Sequence, residues 1–130
     1  MRDLTKYRLE AATERLAVSK ELLDGGHFKD SVNRSYYAIF SATRALLSEA
    51  YVDFKKHSAV ISYFRREYVK GGLFDVKFSS YIGDAFRIRQ YSDYEDFFAV
   101  SNEEAETQYQ HAVEFVAAVK KYLEDADENC

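Results

Sequence analysis

The chain has 130 residues and a mass of 15.1 kDa, with 47% hydrophobic and 31% charged residues, enough for one globular domain whose core needs no metal or disulfide. Its single cysteine, Cys130, cannot form an intramolecular bridge and fits a reducing compartment, so a cytoplasmic location is expected. The longest uncharged stretch, Ser35 to Thr43, has nine residues, which excludes a membrane-spanning helix of about 20, and a net charge of −4 argues against a generic nucleic-acid coat.

No proline occurs, and the five glycines are confined to Gly25-Gly26, Gly71-Gly72 and Gly83, so long helices are expected. From Asp3 to Asp24, Leu9, Ala12, Leu16 and Leu23 recur at three- and four-residue multiples between charged positions, and Gly25-Gly26 supplies a left-handed stop. The N-terminal Met1 to Lys6 has no apolar signal core, so secretion is not expected. A second helix follows from about Phe28 to Ala50, with Val32, Tyr36, Ile39, Phe40, Thr43, Leu46 and Leu47 as its apolar stripe. Its other side carries Asn33, Tyr37, Ser41, Arg44 and Ser48 at helical spacing. Such a helix suits the centre of a bundle, a dimer seam or an inter-helix hydrogen-bonding stripe.

After a loop from Tyr51 to Lys56, a third helix is predicted over Ser58 to Lys70, burying Val60, Ile61, Phe64 and Tyr68 and stopped by Gly71-Gly72. In the fourth, Val76 to Ser92, the stripe of Phe78, Ile82 and Ala85 continues by a four-residue step to Arg89. The last helix opens on Ser101-Asn102-Glu103-Glu104, a capping box in which hydroxyl and carboxylate each satisfy a backbone N–H. Its predicted buried face is Ala105, Tyr109, Ala112, Val116, Val119 and Leu123, with fraying from Asp125. The fold class is all-α: one antiparallel up-and-down four-helix bundle with a short additional helix, residues 1–125, and a frayed acidic tail at 126–130.

Charge is unevenly divided. Residues 1–70 hold 13 Lys/Arg against 9 Asp/Glu, and residues 71–130 hold 5 against 13. Lys55, Lys56, His57, Arg65, Arg66 and Lys70 therefore form either a local basic site or a solvated helix face. His27, His57 and His111 have no metal-ligand spacing, and the glycines lack a phosphate-loop context, so neither metal nor cofactor is expected. The segment Arg87-Ile88-Arg89-Gln90-Tyr91-Ser92-Asp93-Tyr94 packs two guanidiniums, a carboxylate and two phenols into eight residues. Arginine forks grip phosphates and tyrosines stack on bases, which points to an RNA or nucleotide site. Alternatively, Arg89 and Asp93 form a plain i,i+4 ion pair of about 0.2–0.5 kcal/mol.

Asp30 to Phe40 with Ala42 to Leu47, Lys56 to Ile61, Phe64 to Gly72, Arg89 to Tyr94 and Ser101 to Leu123 together resemble HEPN domains, in the same order along the chain. The resemblance implies a four-helix bundle with a short extra helix, paired as a homodimer around a shared cleft. It also implies a minimal nucleotidyltransferase partner in a toxin–antitoxin pair. Active members are metal-independent ribonucleases with an Arg, four to six residues and a His, aided by a polar residue in the second helix. Arg89 matches the Arg and Asn33 the polar residue, but Tyr94 stands where His is expected. The form ending in His-x-Tyr is absent too, since positions 94–96 are Tyr, Glu and Asp.

A phenol titrating near pH 10 is a poor base at neutral pH, and loss of His removes much of a general-base contribution of about 10²–10⁴. The expected function is thus RNA or nucleotide binding through Arg87, Arg89, Tyr37, Arg44 and His57, without efficient catalysis. Two alternatives stand beside it. One is a divergent ribonuclease using Arg89 and Asn33, with Tyr94, Asp93 or His57 substituting for the missing base; the other is a structural dimerisation module. His57 either approaches the cleft or packs and caps beside Ser58.

Overall fold

The computed structural model describes residues 1–129; Cys130 lies outside the described residues. The helices are α1 (Asp3–Asp24), α2 (Phe28–Glu49), α3 (His57–Phe64), α4 (Lys77–Tyr94) and α5 (Asn102–Glu128). No strand occurs among the described residues, and the fold is all-α. No helix of the described residues is long and apolar enough to cross a membrane.

α2 takes the central place predicted for it, but its buried hydrogen-bonding seam with α1 is made by Ser31 and Ser35, with Ser48 alone of the predicted polar face joining it through Thr5. Thirteen of its 22 residues are buried, and it packs against α1, α3, α4 and α5. Against α1 the seam is made of small polar residues. Ser19 Oγ lies 2.7 Å from Ser35 Oγ and donates to the Ser31 carbonyl at 2.9 Å, while Ser31 Oγ donates to the Ser19 carbonyl at 2.9 Å. Side chains this short let the two backbones approach closely, and each buried hydroxyl finds a partner. On the other side Tyr36, Ile39, Leu46 and Leu47, all fully buried, join Phe64, Ile82 and Phe115 in the main core.

Gly26, at φ +79°, ends α1 with the paired bonds of a Schellman stop, His27 N–H to Leu22 O and Gly26 N–H to Leu23 O. Beyond α3 the structure departs from the single predicted helix. Arg65–Val69 forms a wider π turn, closed by Lys70 N–H to Arg65 O, and only then does Gly72 at φ +83° stop the chain. The turn carries Arg65 toward α4, where its Nε donates to Ser79 Oγ at 2.9 Å and its Nη2 to the Ser79 carbonyl at 3.0 Å.

At the start of α5, the Ser101 hydroxyl accepts from Glu104 N–H at 3.0 Å as predicted, but the Glu104 carboxylate accepts from the Ser101 hydroxyl rather than from a backbone N–H. Tyr109 is half-buried, and Phe115 fills the core position instead. Residues 126–128 continue the helix where fraying is predicted from Asp125. The Met1 ammonium meets Asp127 at 2.9 Å, and the Asn129 side chain caps the Asp125 carbonyl.

Candidate functional site

Three elements converge on one side of α2. Asn33, Tyr37, Ser41 and Arg44 follow each other at four- and three-residue steps and so share a face. His57 enters from the first residue of α3 and Arg89 from the outer half of α4.

Arg89 reaches across from α4 to α2. Its Nη2 donates to the Tyr37 hydroxyl at 2.8 Å, and the guanidinium lies 5.6 Å from the Tyr36 ring centre and 5.3 Å from that of Tyr37. Its Nε is 2.9 Å from Asp93 Oδ2, yet that buried N–H has no aligned acceptor, so Asp93 serves as a nearby countercharge rather than a full hydrogen-bond partner. Aromatic faces and a phenol hold the cation in place beside the Asp93 countercharge.

His57 is held by two aromatic residues of α2. Tyr36 OH and His57 Nδ1 are 2.7 Å apart, and the Phe40 ring stacks on the imidazole at 4.0 Å between centres and 25° between planes. Burial pushes the His57 pKa below its usual value, and the positive charges of Arg89 and then Arg44 push it the same way. Burial also raises the Tyr36 phenol well above its ordinary pKa. At neutral pH the pair is therefore an uncharged imidazole beside an un-ionised phenol.

Arg44 belongs to a second ion cluster. Its Nη2 meets both Asp53 carboxylate oxygens at 3.2 and 3.3 Å, Arg8 Nη2 stands 3.6 Å from Asp53, and Arg8 Nη1 donates to the Arg44 carbonyl at 3.1 Å. Burial opposes ionisation of Asp53, but Arg44, the Phe54 N–H and Arg8 outweigh it and hold the carboxyl below its usual range. The Arg44 Nε is buried without an acceptor. A groove of about 780 Å³ runs along α1 and α2, lined among others by Arg8, Arg15, Arg34, Tyr37, Arg44 and His57. A smaller hollow of about 430 Å³ shares Phe40, Arg44 and His57 with Asp53 and Lys55. Four guanidiniums and His57 stand in the larger groove against the carboxylates of Glu10 and Glu14, and Arg44, Lys55 and His57 stand against Asp53 in the smaller one, an excess of cationic groups suited to anions.

The predicted site residues thus divide. Arg89, Asp93, Tyr37, Arg44 and His57 are gathered around the α2 face, with Asn33 half-buried one turn before Tyr37. Arg87 and Tyr94 are elsewhere. Two and five residues from Arg89, they project from other sides of α4 and line a shallow hollow with Gln90, Tyr91 and Glu95. Arg87 pairs there with Asp84 at 3.1 Å, and Tyr94 is 74% exposed. The basic run of the third helix divides as well, since Arg65 turns to Ser79 and Arg66 to Glu67. Sequence reasoning passed over Arg8 and Asp53, whose link to Arg44 spans three elements, and assigned Tyr36 to the core alone. Its ring is fully buried, but its hydroxyl holds His57.

Residues 5–122 match the HEPN domain. The chain is 34% identical over 122 residues to a protein of Methanocaldococcus jannaschii named "Putative toxin MJ0142", covering 94% of this chain and 82% of that one. It is 32% identical over 122 residues to the "UPF0332 protein" of Thermotoga maritima, covering 94% and 92% of the two chains. A second M. jannaschii protein, "Putative toxin MJ0605", is 32% identical over 125 residues, covering 96% of this chain and 92% of that one. With this match across nearly the whole bundle, the chain belongs to the HEPN domain family.

Proposed function

We propose that this HEPN protein is a homodimeric, toxin-like component that binds RNA or a nucleotide and pairs with a minimal nucleotidyltransferase, without efficient RNA cleavage. One observation carries the reading. Arg89 is braced by Tyr37 and Tyr36 close to His57, while Tyr94, in the place of the family's His, is turned away into a separate hollow. The cationic half of a phosphate site is retained and its proton-transfer half is displaced. The toxin names of two relatives support the assignment to a toxin-like module. The test is co-purification with the product of the neighbouring gene, together with RNA binding by wild type and Arg89→Ala. A partner and Arg89-dependent binding are expected; absence of both overturns the reading.

A second reading, a metal-independent ribonuclease, is favoured by the placement of His57 within the field of Arg89. It requires RNA cleavage in EDTA that is lost in Arg89→Ala, with cyclic-phosphate ends. Cleavage of this kind would replace the binding-only reading.

A further inference from the structure

We infer that Tyr36 fixes His57 as the tautomer protonated on Nε2, so that His57 works as a hydrogen-bond donor that, with Arg44, receives a phosphoryl group in the α2 groove. The inference rests on the binding reading above and gives that site its ligand chemistry. Tyr36 is the positioning residue, and His57 the one that touches the ligand.

The argument starts from the phenol. Tyr36 is fully buried, and its hydroxyl has one hydrogen-bond partner among the described residues, His57 Nδ1 at 2.7 Å. If Nδ1 carried the proton, the buried O–H would have no acceptor there, a cost of about 1–3 kcal/mol. A phenol donating to Nδ1 removes that cost and sends the single imidazole proton to Nε2. A doubly protonated ring is disfavoured by burial and by the neighbouring guanidiniums, which keeps the one-proton form at neutral pH. Phe40 stacked at 4.0 Å hinders the half-turn of the ring that would swing Nδ1 away from the phenol.

The consequence lies on the open side of the ring. His57 lines both hollows, and Nε2 has no protein partner among the described residues. Arg44 lines both hollows as well, with its Nη2 on Asp53 and a buried Nε lacking an acceptor, while Arg89, bonded to Tyr37 and 2.9 Å from Asp93, adds positive charge from behind the ring. An imidazole N–H and a guanidinium in the same hollow suit a tetrahedral oxyanion. The same arrangement makes His57 a poor base, because its Nδ1 lone pair is occupied by Tyr36 and its Nε2 lone pair is replaced by a proton.

Long-range ¹H–¹⁵N correlation on the full-length protein at pH 7.5 reads which imidazole nitrogen is protonated, in wild type and Tyr36→Phe. Titration with inorganic phosphate, AMP and an RNA oligonucleotide without a terminal phosphate then reads binding. In wild type the proton is expected on Nε2 and its signal is expected to shift with phosphate; in Tyr36→Phe the tautomers mix. His57→Gln, whose amide nitrogen can stand in for Nε2–H, is expected to retain affinity within about threefold, while His57→Ala loses about tenfold. The stronger response between AMP and the oligonucleotide identifies the source as a nucleotide monoester or an RNA chain, and either supports the assignment. A wild-type proton on Nδ1 overturns the tautomer lock alone. Equal losses in His57→Gln and His57→Ala overturn the donor role. A proton on Nε2 with no response to any of the three probes overturns the phosphoryl assignment together with the binding reading.

Discussion

Arg89 and Tyr37, 52 positions apart in the chain, meet at 2.8 Å across the α2–α4 seam, and the guanidinium lies against the faces of Tyr36 and Tyr37. A lysine retains the charge but not the planar fork that bonds Tyr37 and stacks on both rings. Arg89→Lys is therefore expected to weaken AMP or RNA binding by about tenfold, and Tyr37→Phe by about threefold through loss of positioning alone. In a double-mutant cycle the two losses should fall short of additivity, as for groups acting on one another. Isothermal titration of the four proteins reads the result; strict additivity would show that the Tyr37 bond does not position Arg89.

Tyr94 is 74% exposed and Arg87 is engaged with Asp84, both in a hollow apart from His57 and Arg44. Tyr94→Phe is expected to change RNA or AMP affinity by less than twofold, and Arg87→Ala to act only through general charge, with an effect that fades as salt is raised. Filter binding at two salt concentrations checks both. A salt-independent loss in Tyr94→Phe would bring the phenol back into the site.

The helices were legible because periodicity and glycine stops are local signals. Every residue of the predicted α2 stripe, Val32 through Leu47, is buried. The π turn was not legible, because nothing in Arg65–Val69 distinguishes a wide turn from an ordinary one. In the site, Arg89 stood out as a charge ending an apolar stripe, and Tyr37 and Arg44 as a polar face on a buried helix. Tyr94 is set apart from Arg89 because α4 stays helical through Tyr94, so a five-residue step carries it to another side of the helix. Asp53 carried no signal, since its role depends on α1 and α2 bringing Arg8 and Arg44 to the same loop.

The pH dependence of stability follows from His57 and His111. Burial lowers the pKa of each below the usual 6.5; Arg89 and Arg44 add to the effect at His57, while Asp84 and Glu114 oppose it at His111. The folded state thus takes up these protons less readily than the unfolded one. Stability is full above the unfolded pKa and is lost as pH falls through 6.5 toward the lower folded values. Urea midpoints should fall between pH 7.5 and pH 5.5, and the fall should shrink in His57→Gln and in His111→Gln. At the alkaline end the sign reverses. Burial raises the Tyr68 phenol to about 12, so stability is lost as pH rises from 10 toward that value.

Tyr51 is a non-glycine residue at φ +60°, in the Schellman position that Gly26 and Gly72 occupy at other helix ends. Left-handed backbone costs a non-glycine residue about 1–2 kcal/mol, partly offset by Arg2 lying 3.9 Å over the exposed Tyr51 ring, worth about 0.5–1 kcal/mol. Tyr51→Gly is therefore expected to stabilise by about 0.5 kcal/mol, and Tyr51→Ala, which keeps the strain and loses the ring, to destabilise by a similar amount. Gly72→Ala should cost about 1 kcal/mol for the same backbone reason. Thermal unfolding orders the three; a destabilised Tyr51→Gly would show that the Arg2 contact outweighs the strain.

Asp53 sets how much of the Arg8–Arg44 charge the groove presents. Its carboxylate lies within 3.2 to 3.6 Å of both guanidiniums, and it favours the Arg8 charge that burial and the nearby Arg44 disfavour. Asp53→Asn keeps the shape and the capacity to accept from Phe54 N–H but removes the countercharge. Two opposite consequences are expected from one substitution: lower stability, because like charges are left facing each other, and tighter phosphate or RNA binding by about three- to tenfold at low salt, because both guanidiniums become available. Raising the ionic strength should reduce both effects together, since both are electrostatic. Paired urea unfolding and AMP titration at 50 and 500 mM salt, about a threefold change in Debye length, separate this from simple misfolding, which would weaken binding and stability alike at either salt.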